Sequence, residues 1–406
     1  FAQFENHELI KYIKIIRERD SIAYNAVAAT VAFLQIRNGK VELAKNADIN
    51  CLLQDSRWKY ETFTSFVKKL NKFYQDTKFK SFFNQHKALY AETEKRFDEF
   101  LSGINTEWFQ KFFGTPLNNP IIYVSLLNGT SNYGGKVFCS EESPGYISVG
   151  CTQVDNDGIP AFQYNFDLLY TIVHELCHIY TNSLSIKYEN SLSESGKIIF
   201  PFVKEKLEKV AYGDAKTMLA EGFNNLCTNM YCMENNFPFS KYNIRDNEEY
   251  GFIWMRRAVK FMDDFYANRS LYPYITDFMP QYIEFINFTA KHIEQIAFEY
   301  EHSNPYVVNV FPAINSTVSV DTKEIRIQFS CSMWSSYGID NSEDSTLLIP
   351  SMQEKAFWND EKNILIIPVK LESEKNYGLA LRADVFQSFD TFPMKENFEI
   401  KFNTEK

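Results

Sequence analysis

Two histidines and a glutamate lie close together in this chain, at His174, Glu175 and His178 in the string HELCH. The surrounding apolar run, residues 168–180, is typical of a buried helix. Side chains four residues apart lie on one face of a helix, so both imidazoles can bind the same metal ion. Glu175 lies about 100° around the helix, where a carboxylate can act as a general base. The spacing therefore predicts metal-assisted hydrolysis.

This pattern is too specific to arise readily by chance. The chain has six histidines and 52 acidic residues among 406, so random placement would give roughly 0.01 matches. His7 and Glu8 begin the same pattern, but Lys11 occupies the position of the second histidine. The HELCH string is therefore the candidate site.

A catalytic zinc site requires a third protein ligand. Because no histidine occurs between His178 and His292, a carboxylate is favoured. The candidates are Glu189, Glu194, Glu205, Glu208, Asp214 and Glu221. Glu221 is preferred, because residues 215–230 have apolar positions at helical spacing and Glu221 lies on the opposite, polar face. That face is either solvent-exposed or the wall of a polar cleft, and we expect Glu189 and Glu194 to lie in a loop.

HELCH followed by AEGFNN at 220–225 resembles the gluzincins, the thermolysin-like and aminopeptidase-like zinc metallopeptidases. The resemblance implies that His174, His178 and Glu221 bind Zn²⁺ and that Glu175 is the general base. It also implies a peptide or protein substrate. Thermolysin-type members orient a histidine with an Asp four residues after the ligand Glu, where this chain has Asn225. An amide there can still accept a hydrogen bond from an imidazole N–H.

The resemblance also implies a sheet edge that pairs with the substrate and a transition-state donor. Strands are predicted at 121–127, 136–139 and 146–149. Residues 132–139 are the candidate substrate-binding edge, and a purely structural hairpin is the alternative. The candidate donors, which the sequence does not rank, are Tyr133, Tyr212, Tyr231 and His292.

The hydrophobic period divides the chain into three regions. Residues 1–113 are predicted to be helical, with helices at 7–19, 60–74 and 91–101. Residues 114–303 form the predicted catalytic domain, with the small sheet and further helices at 252–266 and 281–300. The predicted fold class is therefore α+β.

After Asn304 and Pro305 the spacing of apolar residues changes from the helical period to alternation at every second residue. This change predicts a β-sandwich at 304–406. Its predicted strands are 306–311, 324–329, 346–349, 363–369, 376–381 and 397–402. The loose motifs of this region resemble bacterial Ig-like domains. The whole layout resembles an uncharacterised family of bacterial proteins regarded as secreted metallopeptidases.

Composition narrows the possible partners and compartment. A net charge of −10 argues against nucleic acid or anionic lipid, and no apolar run reaches the length of a membrane span. Seven cysteines without a CxxC pair predict neither a disulfide scaffold nor a zinc ribbon. The chain begins at Phe1 rather than Met, as a processed form would, so we expect a secreted or cell-envelope protein.

The sequence thus predicts zinc-dependent hydrolysis of peptide bonds by an endopeptidase. In the gluzincin aminopeptidases a MEN triplet lies upstream of HExxH. Here the MEN triplet at 233–235 follows Glu221 instead of preceding HELCH, so nothing argues for an aminopeptidase. The alternative is a cell-surface binding or adhesion protein that keeps a metal site without turnover.

Overall fold

Helices dominate the chain up to about residue 303, and strands dominate the chain after it. This arrangement is seen in a computed structural model that describes residues 2–23, 25–45, 47–117, 120–126, 128–129, 131–136, 145–151, 153–162 and 166–406. The predicted α+β fold class is confirmed. Among the described residues, no helix is both long enough and apolar enough to cross a membrane.

The N-terminal region is largely helical, as predicted. Its helices are α1 (Glu8–Asp20), α2 (Asn25–Ala32), α3 (Ile49–Leu52), α4 (Tyr60–Asp76), α5 (Phe79–Gln85), α6 (Lys87–Leu101) and α7 (Thr106–Phe113). Apolar side chains at helical spacing on α1 and α4, including Leu9, Ile16 and Phe66, pack into one core with Trp58. The helical stripes of the sequence are therefore core residues here.

One hairpin within this region was not predicted. Strands β1 (Leu34–Arg37) and β2 (Lys40–Leu43) pair in antiparallel fashion across Asn38 and Gly39. Both turn residues have positive φ, 51° and 73°, as a tight two-residue hairpin turn requires. The Asn-Gly dipeptide between alternating residues was the sequence signal for this hairpin.

A three-stranded sheet precedes the helix that carries HELCH. Its strands are β3 (Ile121–Ser125), β4 (Tyr133–Lys136) and β5 (Gly145–Gly150), in the order β3-β5-β4. The predictions at 121–127 and 146–149 match β3 and β5, whereas β4 shares only Lys136 with the strand predicted at 136–139. Residues 127 and 137–139 lie outside the described residues. Strand β4 lies at one edge of the sheet and packs on helix α8 (Phe166–Lys187).

Two further helices follow α8, and the first corrects an expectation. Helix α9 (Glu189–Lys209) contains both Glu189 and Glu194, which were expected in a loop. The apolar residues Leu192, Ile199, Val203 and Leu207 recur along α9 at helical spacing and are buried. Burial of this stripe outweighs the low helix propensity of the Ser- and Gly-containing start. The next helix is α10 (Ala215–Glu234).

The remaining helices are α11 (Ser240–Tyr250), α12 (Met255–Ala267), α13 (Ile275–Lys291) and α14 (Ile293–Glu301). The predicted helix at 281–300 is in fact two helices that meet at His292.

The chain forms two compact units. The first comprises residues 1–200, 212–238 and 257–288, and the second comprises 201–211, 239–256 and 289–406. The second unit thus contains helical segments besides the residues from 304 onward.

Residues after 304 form two sheets around a common core. One has the order β10-β12-β8-β6, with β11 also on β12, and the other has the order β7-β14-β13-β9. The core includes Ile327 and Leu365 from the first sheet and Leu379 and Ile400 from the second. The strands are β6 (Val307–Phe311), β7 (Thr317–Val318), β8 (Glu324–Phe329), β9 (Ile339–Asn341), β10 (Ser351–Met352), β11 (Phe357–Trp358), β12 (Ile364–Lys370), β13 (Asn376–Leu381) and β14 (Phe398–Thr404).

Five of the six strands predicted here are present, and the one at 346–349 is wrong. Only Leu348 makes an isolated bridge there, to Tyr377. The carboxylate of Asp344 accepts hydrogen bonds from the backbone N–H and hydroxyl of Thr346, which fixes a turn instead of a strand. The additional strands β7, β9, β10 and β11 have two or three residues each, too few to show a period.

Candidate metal centre

The site is built where α8 and α10 pack against each other. The polar face of α10 is buried, since Asn224 and Thr228 are 0% exposed and Asn225 is 5% exposed. Asn224 donates to the carbonyl oxygen of His174 at 3.0 Å and accepts from the Thr181 hydroxyl at 2.6 Å. These bonds satisfy polar groups that burial would otherwise leave unpaired. The polar face therefore packs on α8, and it holds Glu221 beside the histidines.

The three predicted ligands converge on one point. The Nε2 atoms of His174 and His178 are 3.1 Å apart, and they lie 3.5 Å and 3.6 Å from Oε2 of Glu221. A tetrahedral ion bound at about 2.0–2.1 Å from each ligand would separate the ligand atoms by about 3.3–3.4 Å. The observed distances lie on both sides of this value, so the triangle has the size of a tetrahedral metal site.

The bonding state of these atoms also suits a cation. Oε2 of Glu221 is buried and has no hydrogen-bond partner in the part of the chain that the structure describes. Burial alone would raise the pKa of Glu221, but the neighbouring His174 and His178 imidazoles outweigh it and bring the pKa to about 2. An ionised, unpaired oxygen facing two imidazole nitrogens can hold a metal ion.

Four of the other five candidate carboxylates have partners of their own. Glu189 pairs with Lys216 at 2.8 Å, Glu194 with Lys197 at 3.5 Å, and Glu208 with Lys204 at 3.6 Å. Asp214 caps α10 by accepting from the backbone N–H of Thr217 at 2.8 Å. Among the described residues, only His174, His178 and Glu221 form a group of three suited to a metal ion.

Glu175 lies in the same environment, together with two tyrosines. Burial raises the pKa of Tyr212 well above its ordinary value, and the carboxylates of Glu221 and Glu175 raise it further. The hydroxyl of Tyr212 is placed to donate a hydrogen bond to Glu221. Burial, followed by the charge of Glu175, likewise raises the pKa of Tyr146. A protonated phenol therefore lies beside the ligand carboxylate, within range of the charge of the candidate base.

The hydrogen bonds at the Nδ1 atoms of the two histidines differ from the expectation that Asn225 accepts from an imidazole. Oδ1 of Asn182, one turn along α8, lies 3.1 Å from Nδ1 of His178, where it can accept the imidazole proton. Asn225 instead accepts from the Tyr170 hydroxyl at 3.4 Å. The Tyr170 ring lies near-parallel to that of His174, with centroids 6.5 Å apart. Nδ1 of His174 is buried and has no hydrogen-bond partner among the described residues.

Tyr212 is the predicted donor that the structure brings to the metal ligands. The hydroxyl of Tyr231 accepts from the backbone N–H of Asn105 at 2.6 Å, and its ring packs on Trp108, so it serves the core. Tyr133 lies on β4, and His292 belongs to the second unit. The contact between Asn182 and His178 was not predicted, although residues four apart lie on the same face of a helix.

Comparison with known proteins places the chain in a family. The family described as "Domain of unknown function (DUF4932)" matches residues 1–285. The chain belongs to this family. The match includes His174, Glu175, His178 and Glu221, so the whole candidate site lies in the DUF4932 region. No curated protein matches the chain.

Three solved structures are similar to the chain over between 25% and 98% of its length. CopC from Methylosinus trichosporium OB3b is 17% identical, with 25% of this chain and 97% of CopC covered and a TM-score of 0.20. The S-layer protein rSbsC(31-844) is 13% identical, with 56% and 34% covered and a TM-score of 0.21. Domains 1–6 of surface layer protein SbsC are 10% identical, with 98% and 46% covered and a TM-score of 0.22. Scores this low carry no argument about fold or function.

Proposed function

We propose that this protein is a gluzincin-like zinc endopeptidase. The observation that supports the proposal most directly is the triangle of His174, His178 and Glu221, with Glu175 and Tyr212 beside it. Two neutral imidazoles and one carboxylate are the ligand set of many catalytic zinc sites. When bound, zinc would polarise the scissile carbonyl and make water more acidic.

Glu175 supplies the proton transfers that hydrolysis requires. Its carboxylate takes a proton from the attacking water as the new carbon–oxygen bond forms at the peptide carbonyl. It then returns the proton to the leaving amine as the carbon–nitrogen bond breaks. The products are a carboxylate and an amine, and Glu175 is regenerated. A site with only a structural role has no need of this residue.

Tyr212 is suited to stabilise the negative charge that develops on the carbonyl oxygen. Its pKa is raised by burial, so the hydroxyl keeps its proton and can donate a hydrogen bond. Such donors contribute most when they are fixed before the reaction. Strand β4, at the edge of its sheet and against α8, is suited to pair with an extended peptide backbone. Residues 137–139 of the predicted edge lie outside the described residues.

We also propose a secreted or cell-envelope location. Cys51 forms a disulfide bond, whereas the other described cysteines, Cys151, Cys177, Cys227, Cys232 and Cys331, are free. Disulfides persist mainly in oxidising compartments, which supports this location. Fractionation of producing cells, with the chain detected by antibody, tests it. Recovery in the cytosol alone would contradict the proposal.

The decisive experiment replaces the candidate base while leaving the ligands unchanged. Glu175→Gln should bind zinc like the wild type but cleave a mixed peptide library about 10²- to 10⁴-fold more slowly. Glu194→Gln, which changes an exposed carboxylate on α9, should leave the rate unchanged. Glu221→Ala should lose both zinc and cleavage, because a ligand is removed.

The competing function predicts a different result. An adhesion protein with a metal site and no turnover would give the same cleavage rate for wild type and Glu175→Gln. Equal rates would reject the peptidase proposal. Full zinc occupancy in Glu221→Ala, measured by metal analysis after mild chelator dialysis, would reject Glu221 as the third ligand.

A further inference from the structure

A cavity of about 490 Å³ lies beside the metal centre, among α8, α9, α10 and α13. Its volume is that of a small-molecule pocket. The wall contains the buried side chains of Leu192, Leu219, Phe223, Met279 and Tyr282. None of these residues is used by the proposed hydrolytic chemistry.

The cavity adjoins the metal ligands through two elements. On α8 it is lined by Asn182, whose Oδ1 lies 3.1 Å from Nδ1 of His178. On α10 it is lined by Ala220, the residue that precedes Glu221. Asn182 is one helical turn, about 5.4 Å, beyond His178. A peptide advances about 3.3–3.6 Å per extended residue, so a side chain near a scissile bond could reach the cavity.

Each charged side chain that lines the cavity has a polar or charged neighbour. Lys216 pairs with Glu189 at 2.8 Å, and Lys197 lies 3.5 Å from Glu194. Asp214 accepts hydrogen bonds from the backbone N–H and hydroxyl of Thr217, both at 2.8 Å. Both lysines thus lie beside carboxylates and the carboxylate of Asp214 caps α10, while the apolar wall favours burial of apolar surface.

We propose that this cavity binds an uncharged apolar group, such as an aromatic or long aliphatic side chain. The group can come from a substrate peptide or from a separate apolar small molecule. The first source rests on the proposed peptidase function, whereas binding itself does not.

Binding is tested with Nile red, an uncharged apolar fluorophore, on the full chain. Ser185, on the α8 side of the cavity, is replaced by Phe so that the ring occupies the space. Ser183→Phe is the matched control, because Ser183 is exposed on the same helix and does not line the cavity. We expect one saturable site, with Kd raised at least about tenfold in Ser185→Phe and unchanged in Ser183→Phe.

A second filling variant guards against misfolding of the first. Ser193→Phe fills the cavity from α9 and should weaken Nile red binding in the same way. Circular dichroism and retained metal show that each variant is folded. Absence of saturable binding, or equal affinity in wild type and both folded filling variants, would overturn the proposal.

Cleavage of a mixed peptide library separates the two sources. If Ser185→Phe loses only peptides with a large apolar side chain at one position, the group belongs to the substrate. If the cleavage profile is unchanged while Nile red binding is lost, the group is a separate small molecule. Absence of cleavage by the wild type would reject the peptidase proposal and leave the Nile red result to decide the cavity.

Discussion

At the scale of single residues, the ligand triangle and the phenol beside it account for the proposed chemistry. Oε2 of Glu221 lies 3.5 Å and 3.6 Å from the two imidazole Nε2 atoms, and the Tyr212 hydroxyl faces the same carboxylate. Tyr212 comes from the segment between α9 and α10 and is one of the four candidate donors that the sequence did not rank. Substitutions can separate the role of Tyr212 from metal binding and the role of Asn182 from folding.

Replacement of Tyr212 by Phe removes one donor and keeps the ring. We expect kcat to fall by about 10²- to 10³-fold, with little change in KM and full metal content, because the donor acts on charge that develops in the transition state. Tyr250→Phe, at an exposed position in the second unit, is the control. An equal loss of kcat and of bound metal would assign Tyr212 a structural role instead.

Asn182 is expected to orient His178. Asn182→Ala removes the acceptor of the Nδ1 proton, so metal affinity should fall by about 10- to 100-fold. Asn182→Asp should restore the affinity, since a carboxylate accepts the same hydrogen bond. Competition with a chromogenic chelator gives the Kd, and Asn190→Ala at an exposed position of α9 is the control. An unchanged Kd in Asn182→Ala would show that the hydrogen bond is not required.

At the scale of elements, the helices of the second unit contain a buried acid. Glu248 on α11 is 3% exposed, and its carboxylate accepts from the backbone N–H of Arg256 at 3.2 Å and from its guanidinium at 3.1 Å. Burial raises the pKa of Glu248 from 4.5 to about 7, and Asp390 adds to the rise while Arg256 opposes it. The folded state therefore binds a proton that the unfolded state releases near pH 4.5.

This acid predicts a pH dependence of stability. A pKa raised on folding contributes stability that is present below about pH 4.5 and is lost as the pH rises through about 7. The loss is at most about 3 kcal/mol for a shift of this size. Denaturant unfolding at a series of pH values should show the free energy of unfolding of the wild type falling relative to Glu248→Gln across this window. Parallel pH profiles for the two proteins would contradict the raised pKa.

At the scale of the whole molecule, the second unit joins helices to the sandwich. Tyr242 accepts from the Gln387 side chain at 2.8 Å, Arg245 donates to the carbonyl oxygen of Thr391 at 3.3 Å, and Arg256 donates to that of Asp390 at 3.0 Å. The segment 239–256 therefore has partners beyond residue 303. The predicted division of the chain at 303/304 remains a prediction.

A fragment of residues 1–303 tests this division. It keeps the entire first unit and should bind metal with the affinity of the full chain. Loss of at least six hydrogen bonds between residues 239–303 and 304–406, at about 0.5–1.5 kcal/mol each, should lower its unfolding temperature by several degrees. Metal analysis and calorimetry measure both quantities against the full chain. An insoluble fragment, or one without metal, would show that the two regions cannot be separated there.

The sequence by itself was sufficient where local spacing defines the geometry. Four-residue spacing places His174 and His178 on one helix face whatever the surroundings, and long periodic segments such as α4, α8 and β8 were predicted correctly. Local spacing failed at 346–349, where side-chain hydrogen bonds make a turn, and at Glu189 and Glu194, where a buried stripe extends a helix.

The tertiary structure decided every relation between distant segments. The polar face of α10 could have met solvent or α8, and only packing showed that it is buried on α8 with Glu221 beside the histidines. Packing between helices also decided which of the four candidate donors lies at the site, namely Tyr212. It likewise decided that Asn182 and not Asn225 contacts His178, and it formed the cavity next to them. The physical reason is that hydrophobic burial is non-directional. A stripe of apolar residues therefore shows that one face of a helix is covered, but it does not show which element covers that face.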